Sequence, residues 1–415
     1  MNRLLKGALD RGLFINERLL AMADNAVDWM LMRESLVKSG LTPYEVVYQG
    51  DPMSVRYYPP PAAPTMEMSG GEQLPVAEVR HPVPLVLVPP LGVTTEVFDL
   101  MPHRSLVRYM AARGFHVYLI DWGKPERRHA SLSMKDYAVS MFDTALEAVR
   151  RHCAMEDVSI MGWCMGGLLS LLHTGLDRDR HIQNLITVAS PIDLRGGGIV
   201  ARAATALNTP ARLIRKFSSW RLHSLNPTTL HAPAWLTTLG FKLTDPIGSI
   251  TTYWDLLTRL WDREFVENYS TTADYLNNML EYPGGVIQDM LVKFAIDNQM
   301  AAGRVEFRDT VADLGHISAN FLVFAGDTDI LVPPDIARRS VELVASHDRE
   351  FHIVPGGHMG VILGSRAVKS VWEPAANWLA SRSHSDNHRP MDGPSAAERA
   401  IQDARLRREV DDPTW

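Results

Sequence analysis

The chain has 415 residues, of which 46% are hydrophobic and 22% charged, an ordinary globular composition that excludes wholesale disorder, collagen-like repeats and a polytopic membrane protein. Lys and Arg number 42 and Asp and Glu 48, so the net charge of −6 excludes a general basic field for nucleic acid or anionic lipid. The two cysteines, Cys153 and Cys164, exclude a disulfide scaffold and the spacing of a structural zinc site, and they fit a reducing, cytoplasmic setting.

Residues 1–40 predict a helical segment, because Leu5, Leu9, Leu13, Leu20, Val27 and Leu31 fall near helical spacing. Lys6, Asp10, Arg18 and Asp28 break the apolar run well short of a bilayer span, so no transmembrane segment is expected, and no secretory core is visible. The expected role of this helix is to cap the protein's own core, the alternative being a surface for a partner or a hydrophobic product. Residues 43–58 predict two short strands around a Gly-Asp-Pro turn, and residues 59–82, rich in Pro, Gly and Glu, an exposed connection. Pro84-Leu-Val-Leu-Val-Pro-Pro90 is a short apolar run of the kind buried on both faces of a parallel sheet.

From there helix and strand alternate. Helices are expected over 103–113, 133–152 and from 168, and strands over 115–120, 157–161 and 184–189. Such alternation predicts an α/β fold, a mostly parallel sheet with helices on both faces. The rhythm breaks over 195–300, where a helical pattern holds Trp220, Trp235, Trp254 and Trp261, and this insertion reads as a lid. The alternation resumes with a strand over 319–325, a helix over 335–346, a strand over 350–354 and a helix over 368–381. The expected organisation is therefore an N-terminal segment (1–40), a catalytic core (41–194 and 301–381), a lid (195–300) and a polar tail (382–415). In the tail, Ser395-Ala-Ala-Glu398 matches a capping box, so a short exposed helix is expected there and disorder elsewhere.

The chemistry-bearing signal is Gly162-Trp163-Cys164-Met165-Gly166-Gly167, between a buried strand and a helix. A nucleophile elbow needs its reactive residue on a strained strand-to-helix turn, with glycines two positions to either side. Cys164 takes the nucleophile position at a helix N-terminus, where partial positive charge favours a thiolate. Cys153 sits at a helix end and reads as structural. A nucleophile needs a base, and the base an orienting acid, in the chain order nucleophile, acid, His. Asp329 in Phe324-Ala-Gly-Asp-Thr-Asp-Ile-Leu-Val-Pro333 suits the acid, with Asp327 as its rival and a loop hydrogen bond as the alternative role of Asp327. Among 15 histidines, His358 in Val354-Pro-Gly-Gly-His-Met-Gly360 follows the last strand and is placed to reach the elbow, whereas His352 lies within that strand. The oxyanion hole is expected to use the backbone N–H of Met165 and one from the loop Pro89-Pro-Leu-Gly-Val93, where Leu91 or Gly92 can donate and Leu91 is preferred. No metal or redox cofactor is implied by these residues.

At these positions the chain resembles the polyhydroxyalkanoate synthases, particularly the class III catalytic subunit, within the α/β-hydrolase superfamily. The likeness spans roughly residues 42–380. Val88-Pro-Pro-Leu with Phe98-Asp-Leu and Ser105-Leu-Val-Arg-Tyr is similar to the first core block of that family, and Val117-Tyr-Leu-Ile-Asp-Trp-Gly-Lys-Pro125 is the most telling stretch. Gly-Trp-Cys-Met-Gly-Gly is similar to its lipase-like box, and Asn298 with Gly303 resembles a stretch before the acid strand. Val93 and Ile330 stand where the family commonly has Asn and His, and Leu280-Glu-Tyr-Pro-Gly-Gly285 replaces an aromatic-rich segment.

The resemblance implies an α/β-hydrolase fold with Cys164, Asp329 and His358 as catalytic groups. It implies a 3-hydroxyacyl-CoA substrate, a polyester product and release of CoA through a cysteine-bound thioester. It also implies a homodimer joined through the lid, a separate helper subunit and association with polymer granules. A thioesterase or esterase using the same three groups, with water as acceptor, is the alternative reading. A non-catalytic granule-binding or partner subunit is a third.

Overall fold

The computed structural model describes residues 2–193, 195, 226–242, 256 and 258–387. Most of 196–257 within the expected lid, including Trp220 and Trp254, and residues 388–415 of the expected tail lie outside the described residues.

The strands in chain order are β1 (Glu45–Gln49), β2 (Ser54–Tyr58), β3 (Thr65–Glu67), β4 (Gln73–Pro75), β5 (Leu85–Val88), β6 (Val117–Asp121), β7 (Val158–Trp163), β8 (Ile182–Val188), β9 (Arg304–Glu306), β10 (Val311–Asp313), β11 (Asn320–Gly326) and β12 (Arg349–Val354). Eight of them form one sheet in the order β1-β2-β6-β5-β7-β8-β11-β12. The run from β6 to β12 is parallel, whereas β1 and β2 add antiparallel strands at one edge. This is the α/β-hydrolase architecture expected from the alternation of elements.

The apolar runs explain the buried strands. All four residues of β5 are buried, and they serve two cores. Val86 and Val88 pack on one face with Tyr118, Ile120 and Ile160, while Leu85 and Leu87 pack on the other with Val117 and Leu119. Period-two alternation thus places one apolar set on each face. The first face is covered by α3 (Phe142–Cys153) and α4 (Met165–Thr174), through Phe142, Leu146, Leu168 and Leu172. The second is covered by α2 (Leu106–Ala112), whose N-terminal amide of Arg108 is accepted by the Ser105 hydroxyl at 3.3 Å, and by the helix Glu373–Ala380.

Three expectations need correction. Residues 59–82 carry the β3–β4 hairpin, with Met66 and Met68 buried in the second core, rather than forming only an exposed connection. Three-residue strands are too short to display a period, and the same holds for the β9–β10 hairpin. The helix predicted over 133–152 begins with a π-helical stretch, Asp136–Met141, before α3. At the N-terminus, α1 (Asn2–Leu31) forms, but Leu20, Val27 and Leu31 are exposed instead of facing a core. Polar contacts to the inserted helix Arg263–Asn277 and its flank set its rotation: the Asn25 amide donates to Leu260 O at 2.7 Å, and Arg263 pairs with Asp28.

Strand β5 lies between β6 and β7, so successive connections leave it in opposite directions, and a crevice opens beyond the strand C-termini at that point. The packing that closes the β5–β7–α4 junction depends on Gly166. A methyl group there would lie 2.0 Å from Val88 O, too close for any Cβ. Gly166→Ala should therefore destabilise the fold by about 1–3 kcal/mol through overpacking. The control, Gly360→Ala, places its methyl with no atom within 4 Å. Paired thermal melts should show a fall in Tm for the first and little change for the second.

Candidate active site

Strand β7 passes into α4 through Cys164, whose backbone is held at φ 52° and ψ −121°. A non-glycine residue in this region costs about 1–3 kcal/mol and persists only where its surroundings over-determine it. Here the Cys164 N–H donates to Val188 O at 2.8 Å, and its carbonyl accepts from Leu168 N at 3.2 Å. The sulfur is thereby displayed at the N-terminus of α4 on a side chain that remains partly exposed.

Neighbouring parallel strands deliver the other two groups. Gly326, ending β11, pairs with Val354, ending β12, so the loops after both strands emerge at the same sheet edge. Asp329, 4% exposed, lies in the first loop and His358, 8% exposed, in the second. One Asp329 oxygen accepts the backbone N–H groups of Leu331 and Val332, both at 2.9 Å, which leaves the other to bond His358 Nδ1 at 2.8 Å. That bond directs the opposite ring nitrogen, Nε2, toward other partners. Trp163 fixes the ring further, donating its indole N–H to His358 O at 3.3 Å with the ring centroids 5.4 Å apart. Asp327 instead accepts Gly356 N–H at 2.8 Å, a loop hydrogen bond, so the structure brings Asp329 and not its rival onto the imidazole.

Burial alone would depress His358, but the adjacent Cys164 sulfur and the Asp329 carboxylate more than offset it and push the imidazole up to about 10. His358 is thus bonded to Asp329 and lies within electrostatic reach of Cys164. Cys153 lies apart at the end of α3, where burial raises its thiol. His352 is on β12 beside Glu350, 3.1 Å away.

The loop after β5 approaches the same edge. Gly92 adopts φ 79°, and a methyl group there would lie 2.2 Å from the Tyr282 ring. Tyr282 donates its hydroxyl to Leu91 O at 2.6 Å, and Leu280 N donates to Gly92 O at 2.8 Å. Trp122, in the Asp-Trp-Gly stretch, donates its indole N–H to Pro89 O at 2.9 Å and stacks edge-on against Tyr137. Tyr282 and Trp122 are thus clamps on this loop that the sequence did not reveal as such. Burial first, then proximity to Cys164, raises the Tyr282 phenol well above its usual range. Met165 N begins α4 beside the sulfur. No group of three or more His, Cys, Asp and Glu able to hold a metal ion occurs among the described residues.

The family model described as serine aminopeptidase, S33 (Hydrolase_4) matches residues 101–359, more than half of the chain. The protein belongs to this family, within the α/β-hydrolase superfamily. In this family member the elbow residue is Cys164. Among curated relatives, the poly(3-hydroxyalkanoate) polymerase subunit PhaC of Haloferax mediterranei is 27% identical over 352 residues, covering 84% of this chain and 66% of that protein. This chain thus spans just under two thirds of that relative. The subunit of the same name from Allochromatium vinosum is 26% identical over 360 residues, covering 85% of this chain and 92% of that protein. Among solved structures, a soluble variant of monoglyceride lipase from Saccharomyces cerevisiae is 14% identical with a TM-score of 0.47, covering 84% of this chain and 97% of that one. No helix among the described residues is long and apolar enough to cross a membrane.

The elevated His358 gives a direct test of the coupling. Cys164→Ala removes one of the two neighbours that raise the ring, so the imidazole pKa should fall from about 10 toward its usual value of 6.5, measured by NMR titration of labelled histidine. Because the folded-state value is raised, the stability that this charge contributes is full below pH 6.5 and is lost as pH climbs through about 10. Denaturant melts of wild type against Cys164→Ala should converge across that window.

Proposed function

We propose that the protein is an acyltransferase of the poly(3-hydroxyalkanoate) polymerase type, which joins 3-hydroxyacyl groups from CoA thioesters into polyester and releases CoA. The observation that carries this reading is the set of curated relatives bearing that name, aligned along 84–85% of the chain. The site supplies a chemical route for it.

In the proposed route, the proton shared by Cys164 and His358 rests on the imidazole, as its raised pKa favours. The sulfur attacks the thioester carbonyl, and the oxyanion that forms is met by the Met165 N–H and an amide of the Leu91–Gly92 loop. The bond to the CoA sulfur breaks, and His358 protonates the departing thiolate. Exchange of one thioester for another is nearly balanced in energy, so the acyl group stays activated on Cys164. Neutral His358 then takes the proton of an attacking hydroxyl from a growing chain or a second hydroxyacyl unit. The ester C–O bond forms as the Cys164 thioester breaks, restoring the charged pair. Asp329 orients the imidazole and stabilises its charge through the 2.8 Å bond. The route invokes no metal or redox cofactor.

The same proposal includes a helper chain, in keeping with the subunit designation of the relatives, together with a homodimer joined through residues 195–300, a cytoplasmic location and contact with polymer granules. The second reading is a thioesterase or esterase with water as acceptor, favoured by the hydrolase family match and by the partly exposed sulfur.

Incubating purified protein with 3-hydroxybutyryl-CoA, with thiol release and product size followed together, tests the two. Polyester with CoA release is the expected outcome; stoichiometric free acid selects the hydrolase, and no CoA release counts against both. Cys164→Ala should lower CoA release by a factor on the order of a thousand or more. Asp329→Asn should cost roughly a hundredfold or more, and Asp327→Asn far less; a greater loss at Asp327 would reverse the assignment of the acid.

A further inference from the structure

Next to the β5 loop lies a cavity of about 880 Å³, walled by Thr94, Glu96, Lys124, Tyr275, Leu280 and Glu281 among others. It opens where β5 and β6 end, on the side of the sheet edge that also carries Cys164. Its lining is mixed in charge, with Glu96, Asp121, Glu126, Asp274 and Glu281 outnumbering Arg56, Lys124 and Arg127. Such a surface suits a neutral polar ligand better than a polyanion.

Two of its walls are unfinished. Glu96 Oε2 and Tyr275 Oη are both buried without a hydrogen-bond partner, although protein interiors rarely leave such atoms unpaired. Tyr275 is 3% exposed and belongs to the inserted helix Arg263–Asn277, whereas Glu96 lies in the short 3-10 helix Thr95–Phe98 that follows the Leu91–Gly92 loop. Burial, then the charges of Glu96, Cys164 and Tyr282 in turn, raise the Tyr275 phenol well above its usual range, so the phenol keeps its proton and lies within electrostatic reach of the sulfur. A phenol offers a donor and a carboxylate an acceptor. A hydroxyl group, which donates once and accepts, satisfies both at the same time.

We propose that Glu96 and Tyr275 bind the hydroxyl group of the hydroxyacyl unit, and so set the preference of the site for hydroxyacyl over plain acyl thioesters. This assignment rests on the acyl-transfer reading of the same site. Tyr275 Oη donates to the substrate oxygen, and the substrate hydroxyl donates to Glu96 Oε2. Neither atom is reached by solvent in this structure, so the side chains around them must part as the substrate enters. An acyl group lacking the hydroxyl leaves both protein atoms unpaired and gains nothing from them.

The test compares 3-hydroxybutyryl-CoA with butyryl-CoA as acyl donors, reading CoA release in a single turnover for wild type, Tyr275→Phe and Glu96→Gln. Wild type should acylate faster with the hydroxyacyl donor. Each variant should slow that donor by about tenfold while changing butyryl-CoA less than about twofold, which erases the preference. A merely structural role would slow both donors alike, and that result overturns the assignment, as does an unchanged preference. Wild type that releases CoA from neither donor sinks the acyl-transfer reading and this assignment with it, whereas turnover without discrimination sinks this assignment alone. Should Tyr275→Phe fail to fold, Glu96→Gln, at a half-buried position of that 3-10 helix, carries the same comparison.

Discussion

The backbone of Cys164 is the constraint on which the rest of the site depends. At φ 52° and ψ −121° it turns a buried strand directly into a helix, and no intervening loop dilutes the change in direction. The strain is held by the surroundings on three sides. Val188 O anchors the N–H, Leu168 N holds the carbonyl, and the close seat of Gly166 on Val88 O leaves no room for α4 to relax. Because these anchors come from β8, α4 and β5, the elbow is a product of the whole parallel sheet rather than of its own hexapeptide.

Sheet order then does the remaining placement. Asp329 and His358 are far from Cys164 in sequence, yet each ends a strand of the same parallel run, and parallel strands release their loops at a common edge. The carboxylate is fixed by two backbone amides before it meets the imidazole, so its free oxygen has a single orientation. The imidazole in turn lies between that carboxylate and the sulfur. In so dry a position an uncompensated positive charge would be costly, and the Cys164 and Asp329 neighbours are what favour it.

Much of this arrangement is legible in the amino-acid sequence because its signals are local. The fully apolar strands, the Gly-x-Cys-x-Gly turn, and the Gly-rich His loop each declare themselves within a few residues. Choosing Asp329 over Asp327 is also local, since the spacing after Gly326 decides which carboxylate can fold back on Leu331 and Val332. What sequence does not display are contacts made at a distance. Tyr282 meets Leu91 across the whole inserted segment, Trp122 reaches back to Pro89, and Tyr275 of the inserted helix Arg263–Asn277 lines the same cavity as Glu96. None of these carries a periodicity or a spacing rule. The rotation of α1 was hidden for the same reason, because Asn25 and Asp28, polar residues in an apolar pattern, make its contacts.

The inserted segment also orients the backbone of the loop after β5. A peptide group is planar, so fixing its carbonyl fixes the direction of the N–H on its other side. Tyr282 holds the Leu91 carbonyl and thereby sets the N–H of Gly92, while Leu280 holds the Gly92 carbonyl and sets the N–H of Val93. Two consecutive peptide planes are therefore oriented by residues that belong to the insertion, not to the sheet. An amide held in this way needs no reorganisation before it donates. A displacement of Leu280–Tyr282 would therefore break both bonds and release the two peptide planes together.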